Sequence, residues 1–387
     1  MPGSGRGRRV LFVVHKSYPI GEVRVQREAE AASRAGWRVT VLSLAAAGRP
    51  PSEMVNNVRV IRTSVRHDRR WNYGGLLWEY GRFFLATLGH ALTHRYNRVV
   101  VANPPDFLVF AVAPQRMLGA RIVLDIHDLM TDLFALRMGE DGLPMRALAV
   151  LERASLRYAD ALITVHAPYS REVSERAGGA PVAVVMNSAD DRVFTRGIDS
   201  TSSPAFMFHG SLFERNGLFE LVDAFARVVA KHPDAQLWLV GDGDARAKLR
   251  ATVTRRRLEG NVMFSDGMRP LEEVASKLRR ASFCVVPNRP DLHNRKALSC
   301  KALESACCGV PVIAGDLPVL RQHFNDDEVL YFRAGDADAL GDAMEHALGH
   351  REEMERRAER ARERYERNYA WPAQAQRFLA VLDHGCH

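Results

Sequence analysis

Short apolar runs alternate with helical patterns along the first half of the chain. A short run of Val, Ile, Leu or Phe bounded by Gly, Pro or polar residues is typical of a buried strand, whereas an apolar residue at every third or fourth position is typical of a helix. The runs that predict strands are residues 8–14, 37–44, 97–105, 120–128, 159–166 and 180–188. This alternation predicts an α/β fold with a parallel, doubly wound sheet.

The alternation pauses at residues 196–204, whose sequence RGIDSTSSP is polar and suits an interdomain linker. A second series of predicted strands follows it, at residues 205–211, 235–243, 261–267, 282–289 and 310–315, with helical patterns between them. We therefore expect two Rossmann-like domains facing across a cleft, the first over residues 1–195 and the second over 205–370. The segment 371–387 is predicted to be a helix that crosses back to the first domain.

Composition narrows the class of protein. A chain of 387 residues with 47% hydrophobic and 26% charged residues is typical of a soluble, two-domain globular protein. No apolar run reaches the ~18 residues of a membrane span, and the first apolar run is shorter than that of a secretory leader. The five cysteines lack the spacing of a zinc site or a disulfide framework. The expected location is the cytoplasm, without a bound metal.

The formal net charge of +8 indicates an anionic partner. In residues 351–369 the arginines alternate with glutamates, which predicts a solvated helix with ion pairs four residues apart. Residues 58–84 carry arginines among aromatic side chains, and two interpretations stay open for them. They form either a peripheral contact with an anionic membrane or acceptor, or an ordinary surface with an amphipathic helix. No nucleic-acid-binding module is recognisable, so nucleic acid is not an expected partner.

Open parallel sheets bind ligands beyond the carboxyl ends of their strands, so the residues there are the candidates for chemistry. Gly210 follows one strand and allows close approach to the backbone, and Arg215 can bind two phosphate oxygens. A helix beginning near Ala297 would present free N–H groups to a phosphate. Glu304, about two turns into that helix, could accept hydrogen bonds from ribose hydroxyls. The small residues around Glu304 favour this interpretation over that of an ordinary exposed glutamate.

Several segments, in their order along the chain, resemble the GT-B fold glycosyltransferases of the large retaining family 4. The segment KALESACCGVPVIAG (301–315) is similar to the K-L-x-E-x-x-A-x-G-x-P-V-I-A segment of that family. FHGSLFERNGLFELVDAF (208–225) resembles the opening of the family's donor domain, and VLDIHD (123–128) matches its acceptor domain. The resemblance covers nearly the whole chain.

This resemblance implies that a UDP- or GDP-linked sugar binds the second domain and that the sugar moves, with retention, to an acceptor held by the first. Glu304 would hold the ribose, Arg215 would neutralise the diphosphate and His127 would lie near the donor sugar, without a metal or other cofactor. Together with the strand-end positions, it assigns donor binding to His209, Gly210, Ser211, Asn216, Gly241, Gly243, Asp266, Met268, Lys296, Leu298, Ser299 and Lys301. The acceptor side is assigned to Tyr18, Gly21, Asn103 and Asp128. The acceptor itself stays open among glycans, lipid-linked sugars and small natural products, and a monomer or a homodimer is expected.

Some positions depart from the family pattern. Lys296 stands where many members carry the first of two glutamates, the one that binds the donor sugar. Ser211 and Asn216 replace a usual Arg and a usual Lys, whereas SCKALE, with Lys301, is similar to an S-x-K-x-x-E variant of the family. The identity of the donor sugar therefore stays open.

Two alternative functions are compatible with the same architecture. One is a sugar-nucleotide 2-epimerase, which needs acid and base carboxylates that the sequence does not place. The other is a non-catalytic subunit that binds nucleotide sugar, which the changes at Ser211, Asn216 and Lys296 would suit. A nicotinamide enzyme is disfavoured because GDGDAR lacks the third glycine of a dinucleotide fingerprint.

Overall fold

The computed structural model describes residues 7–19, 22–67, 73–138, 142–197, 203–291 and 293–385. The chain divides into two compact units, unit 1 formed by residues 1–187 with 374–387 and unit 2 by residues 188–373. The sequence analysis places this boundary slightly later, at the linker over residues 196–204. Among the described residues, no helix is both long and apolar enough to cross a bilayer.

Unit 1 is built on an eight-stranded sheet. Its strands are β1 (Arg9–Ser17), β2 (Arg38–Leu44), β3 (Ser52–Val55), β4 (Val58–Arg62), β5 (Arg98–Ala102), β6 (Arg121–Ile126), β7 (Ala161–Thr164) and β8 (Val182–Val184). They lie in the order β3-β4-β2-β1-β5-β6-β7-β8, and all neighbours are parallel except the antiparallel pair β3–β4. The inner strands β1, β5, β6 and β7 are largely buried and rich in aliphatic residues because helices cover both faces of the sheet.

The helices of unit 1 form a layer on each face of this sheet. They are α1 (Val23–Arg34), α2 (Tyr73–Thr93), α3 (Leu108–Ala111), α4 (Ala113–Met117), α5 (Met130–Met138), α6 (Leu143–Tyr158) and α7 (Ala167–Arg176). Side chains of α2, α3, α6 and α7 share one core with one face of the sheet. Those of α1 share the core of the opposite face with the C-terminal helix of the chain.

Unit 2 repeats this plan with six parallel strands. They are β9 (Ala205–His209), β10 (Gln236–Val240), β11 (Val262–Phe264), β12 (Phe283–Val286), β13 (Val312–Gly315) and β14 (Leu330–Phe332). Their order is β11-β10-β9-β12-β13-β14. The remaining helices are α8 (Leu218–Lys231), α9 (Arg246–Arg255), α10 (Leu271–Arg280), α11 (Cys300–Cys308), α12 (Pro318–Arg321), α13 (Ala337–Gly349), α14 (Arg351–Asn368) and α15 (Trp371–His384). A short 3₁₀ turn, Glu214–Asn216, precedes α8.

Helix α14 confirms the interpretation of the Arg- and Glu-rich segment. Its glutamates pair with arginines four residues away, as in Glu353–Arg357 and Glu366–Arg362. Further arginines of the same helix pair with acidic residues elsewhere in unit 2, as Arg364 does with Glu328. Acid–base pairing thus neutralises much of the charge of this segment inside unit 2.

Each sheet contains one point at which the direction of strand addition reverses. In unit 1 the chain proceeds from β1 to β2 on one side and later to β5 on the other. In unit 2 it proceeds from β9 to β10 on one side and later to β12 on the other. The loops at the carboxyl ends of such strands diverge and leave a crevice, which is where doubly wound sheets bind ligands.

Candidate active site

In unit 1, the buried carboxylate of Asp125 at the end of β6 organises the residues beside the crevice. Arg24 of α1 donates two hydrogen bonds to it, from Nε at 2.9 Å and from Nη2 at 2.7 Å, and His127 Nε2 lies 2.7 Å from its Oδ2. Burial raises the pKa of Asp125, but Arg24 and then His127 lower it by more, so the carboxyl group stays ionised well below its usual range. Arg24 also donates to the Val185 carbonyl at 2.7 Å, which ties α1 to the residues after β8.

His127 is held on three sides. Its Nε2 contacts Asp125, its Nδ1 lies 3.6 Å from Glu22 Oε1, and its backbone N–H donates to Asn103 Oδ1 at 2.6 Å. The side chain is 13% exposed, so it is not fully enclosed by these contacts. Lys16 Nζ lies 2.7 Å from the Glu22 carboxylate and places a cation beside this group.

Asn103 joins the end of β5 to the end of β6. Besides the bond to His127, its Nδ2 donates to the Asp128 carbonyl at 2.6 Å and to Asp106 Oδ1 at 2.7 Å. Burial raises the pKa of Asp106 to about 7, and the bond from Asn103 opposes this only in part. The structure therefore brings Asn103, His127 and Asp128 together, as their strand-end positions predict.

Tyr18 lies differently from these residues. Its side chain is 1% exposed and belongs to the core that α1 and β1 share. Burial raises the pKa of its phenol. A donation from Arg62 Nη2 to the Tyr18 carbonyl, at 3.0 Å, fixes the backbone there. In this structure Tyr18 therefore contributes packing, whereas Gly21, the other residue predicted on this loop, lies outside the described residues.

In unit 2, the carboxyl end of β9 carries a buried histidine. A glutamate and a lysine of α11 lie beside it. His209 Nδ1 lies 3.4 Å from Glu304 Oε2, and the Glu304 side chain is 17% exposed. Burial and then the charge of Lys301 lower the pKa of His209 to about 3, so His209 is neutral at neutral pH. Burial also lowers the pKa of Lys301, while Glu304 opposes that change. Lys301 Nζ lies 4.9 Å from the centre of the Phe208 ring, within reach of a cation–π contact.

The glycines of this region bring backbone segments into contact. A Cβ on Gly241 would lie 1.8 Å from the Gly210 carbonyl oxygen, and one on Gly243 would lie 2.6 Å from that of Leu212. A Cβ on Gly210 would lie 3.2 Å from Lys301 Cε. The glycines therefore allow the loops after β9 and β10 to touch and leave the Lys301 stem room beside them.

Arg246 and Ser265 fasten this loop pair, and the sequence analysis assigned neither residue to donor binding. Arg246 donates to the carbonyls of Gly241 and Ser265, the former at 3.0 Å. Ser265 Oγ accepts from the Gly241 N–H at 2.9 Å and donates to the Gly267 carbonyl at 2.8 Å. The signal available in the sequence was the serine at the end of β11 and a basic residue two positions after GDGD.

Arg215 lies on the loop between β9 and α8. Its guanidinium lies 5.0 Å from the centre of the Phe213 ring and makes no ion pair with a residue that the structure describes. Its carbonyl accepts from Asn294 Nδ2 at 2.9 Å, which holds the loop in place. Asn216, at the position of the family's lysine, donates to the Ser211 carbonyl at 2.6 Å. Asn216 thus supports the loop, while Arg215 leaves its charge available.

The helix that carries Glu304 begins later than predicted. It was expected to begin near Ala297, but α11 starts at Cys300, so Glu304 lies about one turn from its start instead of two. The reason is a separate turn, closed by bonds from the N–H groups of Lys296 and Ala297 to the His293 carbonyl, followed by extended backbone at Ser299. Lys296 thus lies on this turn, and Leu298 and Ser299 directly precede the N-terminus of α11.

Two predicted donor residues lie one strand further from β9 than the Gly241 and Gly243 loop does. Asp266 and Met268 follow β11, which is the edge strand of the sheet, with β10 between it and β9. Both side chains are exposed, Met268 to 61%. Among the described residues, no group of three or more His, Cys, Asp or Glu side chains is placed to hold a metal ion.

The comparisons with known proteins agree with this architecture. Residues 21–188 match the family model "Glycosyl transferase 4-like domain", and residues 203–350 match "Glycosyl transferases group 1". One curated relative is the GDP-mannose-dependent monoacylated alpha-(1-6)-phosphatidylinositol monomannoside mannosyltransferase of Corynebacterium glutamicum, 26% identical over 183 residues. That match covers 47% of this chain and 47% of the relative, so the chain aligns with about half the length of the curated relatives that it matches.

Two solved structures resemble the whole fold. Sucrose-phosphate synthase from Thermosynechococcus elongatus has a TM-score of 0.79 at 20% identity, over 97% of this chain and 98% of that one. The Anabaena protein HepE, in complex with UDP-glucose, has a TM-score of 0.71 at 15% identity, over 97% of this chain and 99% of that one. One family model matches most of the residues of the first doubly wound sheet, and the other matches the residues of the second. The chain belongs to the glycosyl transferases group 1, the family 4 glycosyltransferases of GT-B fold.

Proposed function

We propose that the chain transfers a sugar, with retention of anomeric configuration and without a metal ion, from a UDP- or GDP-linked donor to a hydroxyl of its acceptor. The observation that carries this proposal is the convergence of Glu304, His209 and Lys301 at the end of β9. The N-terminus of α11 and the unpaired guanidinium of Arg215 lie in the segments around them. This set offers a carboxylate to a ribose and cations and N–H donors to a diphosphate.

Two cations act on the leaving group in this proposal. Breaking the bond between the anomeric carbon and the phosphate oxygen leaves negative charge on the nucleoside diphosphate, and fixed cations stabilise that charge most effectively in a site with little water. Arg215 supplies one of these cations. Lys301 supplies the other, because Asn216 stands at the position where the family usually carries a lysine. The Lys301 ammonium is desolvated before the donor binds, so it attracts a phosphate more strongly than a surface lysine would.

His127 is proposed to contact the donor sugar. Asp125 and the Asn103 amide set the orientation of its ring and backbone, and the side chain remains 13% exposed, which allows it to contact a sugar. Fixed orientation lowers the entropy lost when the sugar is held in a reactive position. We therefore assign to His127 a role in turnover and not in nucleotide affinity.

The names of relatives and neighbours support parts of this proposal. HepE was solved with UDP-glucose, and the Corynebacterium glutamicum relative is GDP-mannose-dependent, which supports a nucleotide-sugar donor. That relative acts on a monoacylated phosphatidylinositol monomannoside, which favours a lipid-linked acceptor among the classes left open by the sequence.

The test is calorimetric titration with UDP- and GDP-sugars, followed by assays of donor hydrolysis and transfer. Glu304→Ala should weaken donor affinity at least tenfold, ~1.4 kcal/mol or more, because hydrogen bonds to a charged acceptor are lost. Glu272→Ala, on the exposed face of α10, is the matched control and should bind as the wild type does. His127→Ala should keep donor affinity and lose turnover.

Several outcomes would contradict the proposal. Unchanged affinity in Glu304→Ala removes that residue from the donor site. Donor binding by the wild type without hydrolysis or transfer supports the non-catalytic subunit, and release of an epimerised nucleotide sugar supports the epimerase. Inversion at the anomeric carbon, measured by NMR of the product, rejects retention, and loss of activity in a chelator rejects metal independence.

A further inference from the structure

Helix α2 of unit 1 exposes a stripe of large apolar side chains. Leu77, Trp78, Leu85 and Leu92 are 68%, 65%, 65% and 66% exposed. They lie on one side of the helix, opposite Phe83, which is buried in the core. Soluble proteins rarely leave so many large apolar groups in water on one helix face unless that face contacts something else.

Helix α6 exposes a second face of related composition. Leu143 and Val150, which are seven residues apart, are 80% and 64% exposed. The same side of the helix exposes Arg146, Ala147, Arg153, Ala154 and Arg157. This three- and four-residue spacing places apolar and basic residues on one side of the helix.

Both helices lie on the same side of the unit 1 sheet. Phe83 of α2 and Leu156 of α6 belong to one core cluster. Helix α3 and the residue before it connect them, since the Phe107 ring lies 6.4 Å from Phe84 of α2 and the Phe110 ring lies 5.1 Å from Tyr158 of α6. The exposed sides of α2 and α6 therefore belong to one layer of unit 1.

The exposed charges of α2 and α6 have one sign. The exposed charged residues of the two helices are Arg82, Arg146, Arg153 and Arg157, and none of them forms an ion pair with a residue that the structure describes. The carboxylates of the same helices, Glu79 and Glu152, are buried at 0% and 3% exposure. Helix α14 of unit 2 differs, because arginines such as Arg357 and Arg362 pair with glutamates of the same helix. Part of the net charge of +8 therefore lies on these arginines, which form no ion pair with a described residue.

We propose that the exposed sides of α2 and α6 form a docking face for a lipid bilayer that contains anionic lipids. Tryptophan and leucine on one stripe enter the interfacial region of a bilayer, and unpaired arginines attract anionic head groups. A second copy of the chain suits this face poorly, because a two-fold contact would place its cations against their own copies. This proposal takes up the membrane interpretation of residues 58–84, from which the face contains Arg82, and adds α6, which the sequence analysis did not consider.

This inference does not depend on the proposed transfer reaction. The docking face contains none of the residues assigned to donor or acceptor binding. Variants of this face should therefore keep the donor affinity of the wild type, and loss of vesicle binding can be told apart from a failure of the proposed function.

The test is co-sedimentation of the full chain with vesicles of phosphatidylcholine, alone and mixed with phosphatidylglycerol. The wild type should bind the anionic vesicles at least tenfold more strongly than the neutral ones. Raising NaCl from about 0.1 to about 1 M should release it, because the Debye length falls from ~10 to ~3 Å. The double variant Arg146→Glu/Arg153→Glu should lose binding at least tenfold, and Trp78→Ser/Leu85→Ser should lose it without a change in net charge.

The matched control is Arg356→Glu/Arg367→Glu on the exposed side of α14, which makes the same change in net charge and should keep most of the binding. Thermal unfolding of each variant checks that it is folded. Equal binding to neutral and anionic vesicles would overturn the proposal, as would equal losses in the α6 and α14 variants. A wild-type dimer that Trp78→Ser/Leu85→Ser converts to a monomer would assign the face to self-association instead.

Discussion

Two buried aspartates of unit 1 show how a neighbour decides the charge of a residue. Asp125 receives the guanidinium of Arg24 and the ring of His127, and these outweigh the effect of burial, so its pKa is lowered. Asp106, equally inaccessible, receives only the Asn103 amide, and burial raises its pKa to about 7. A neutral amide stabilises a carboxylate less than a cation does. Asp125 therefore acts as a fixed anion, whereas Asp106 titrates near neutral pH.

Asp106→Asn should remove a pH dependence from the stability of the protein. The pKa of an aspartate in an unfolded chain is ~3.9, so between about pH 4 and pH 7 the folded state binds more protons at Asp106 than the unfolded state does. The contribution of Asp106 to the unfolding free energy should therefore fall as pH rises through this range, by at most roughly 1.4 kcal/mol per pH unit. The variant should lack this decline, because asparagine can still accept the Asn103 bond and does not ionise.

The measurement is urea unfolding of both proteins at several pH values, with the difference between them isolating Asp106. A constant difference across the range would show that Asp106 is ionised in the folded protein throughout. A difference that grows with pH in favour of the variant is the expected result.

The loops after β9 and β10 depend on glycine because their backbones touch. A Cβ at Gly241 would meet the Gly210 carbonyl oxygen at 1.8 Å, far inside van der Waals contact. Neither backbone segment can move freely, since the Gly241 N–H and carbonyl are bonded to Ser265 and Arg246. The shape of the proposed phosphate site is thus set by backbone contact and not by side-chain packing.

Gly241→Ala should lower the unfolding free energy by roughly 2 kcal/mol or more and weaken donor binding, because one of the two loops must shift. Gly260→Ala is the matched control, since a Cβ there would meet no atom within 4 Å. Urea unfolding and calorimetric titration of both variants check this. Equal behaviour of the two would show that the loops can separate at little cost.

The sequence predicted the buried strands better than the hairpin β3–β4 at the edge of the unit 1 sheet. Buried strands such as β1 and β9 were predictable because a parallel sheet buried on both faces imposes continuous apolar runs. The hairpin β3–β4 was overlooked, although its turn residues Asn56 and Asn57 have φ values of 50° and 62°, which asparagine tolerates well. In β4 the buried Val58 and Val60 flank the exposed Arg59, so this strand lacks the continuous apolar run of the inner strands.

The network around His127 could be predicted only in part. Strand-end position identified Asn103, His127 and Asp128, because the carboxyl ends of neighbouring parallel strands meet at one edge. Arg24 and Glu22 belong to α1 and its start, and their contacts with Asp125 and His127 span more than a hundred residues of sequence. No local pattern encodes such a contact, so it required the folded structure.

At the scale of the whole molecule, the C-terminal helix α15 completes the core of unit 1. Phe378 is 0% exposed and its ring lies 6.0 Å from that of Phe12 in β1. Arg98 of β5 donates to the carbonyls of Leu382 and Asp383, and Gln374 accepts from the Met186 N–H. These contacts hold residues 374–385 to a unit whose other residues end at 187.

Phe378→Ala should destabilise unit 1 by about 3–5 kcal/mol, because the cavity lies in a close-packed core. Hydrogen exchange of the full chain should show faster exchange in β1 and β5, with β9 and β10 less affected. Arg377→Ala, an exposed neighbour on the same helix, should exchange as the wild type does. Equal acceleration in both units would show instead that they open as a single cooperative body.

The return of the chain to unit 1 also orders events on the ribosome. Unit 2 is continuous from residue 188 to 373, so all of its residues are available before the polypeptide is finished. Synthesis of unit 1 begins first, but its core cannot be completed until Phe378 and its neighbours are translated, after the whole of unit 2. Until then, the apolar surface of β1 that α15 covers stays accessible to chaperones, and the unit made first is the last to be complete.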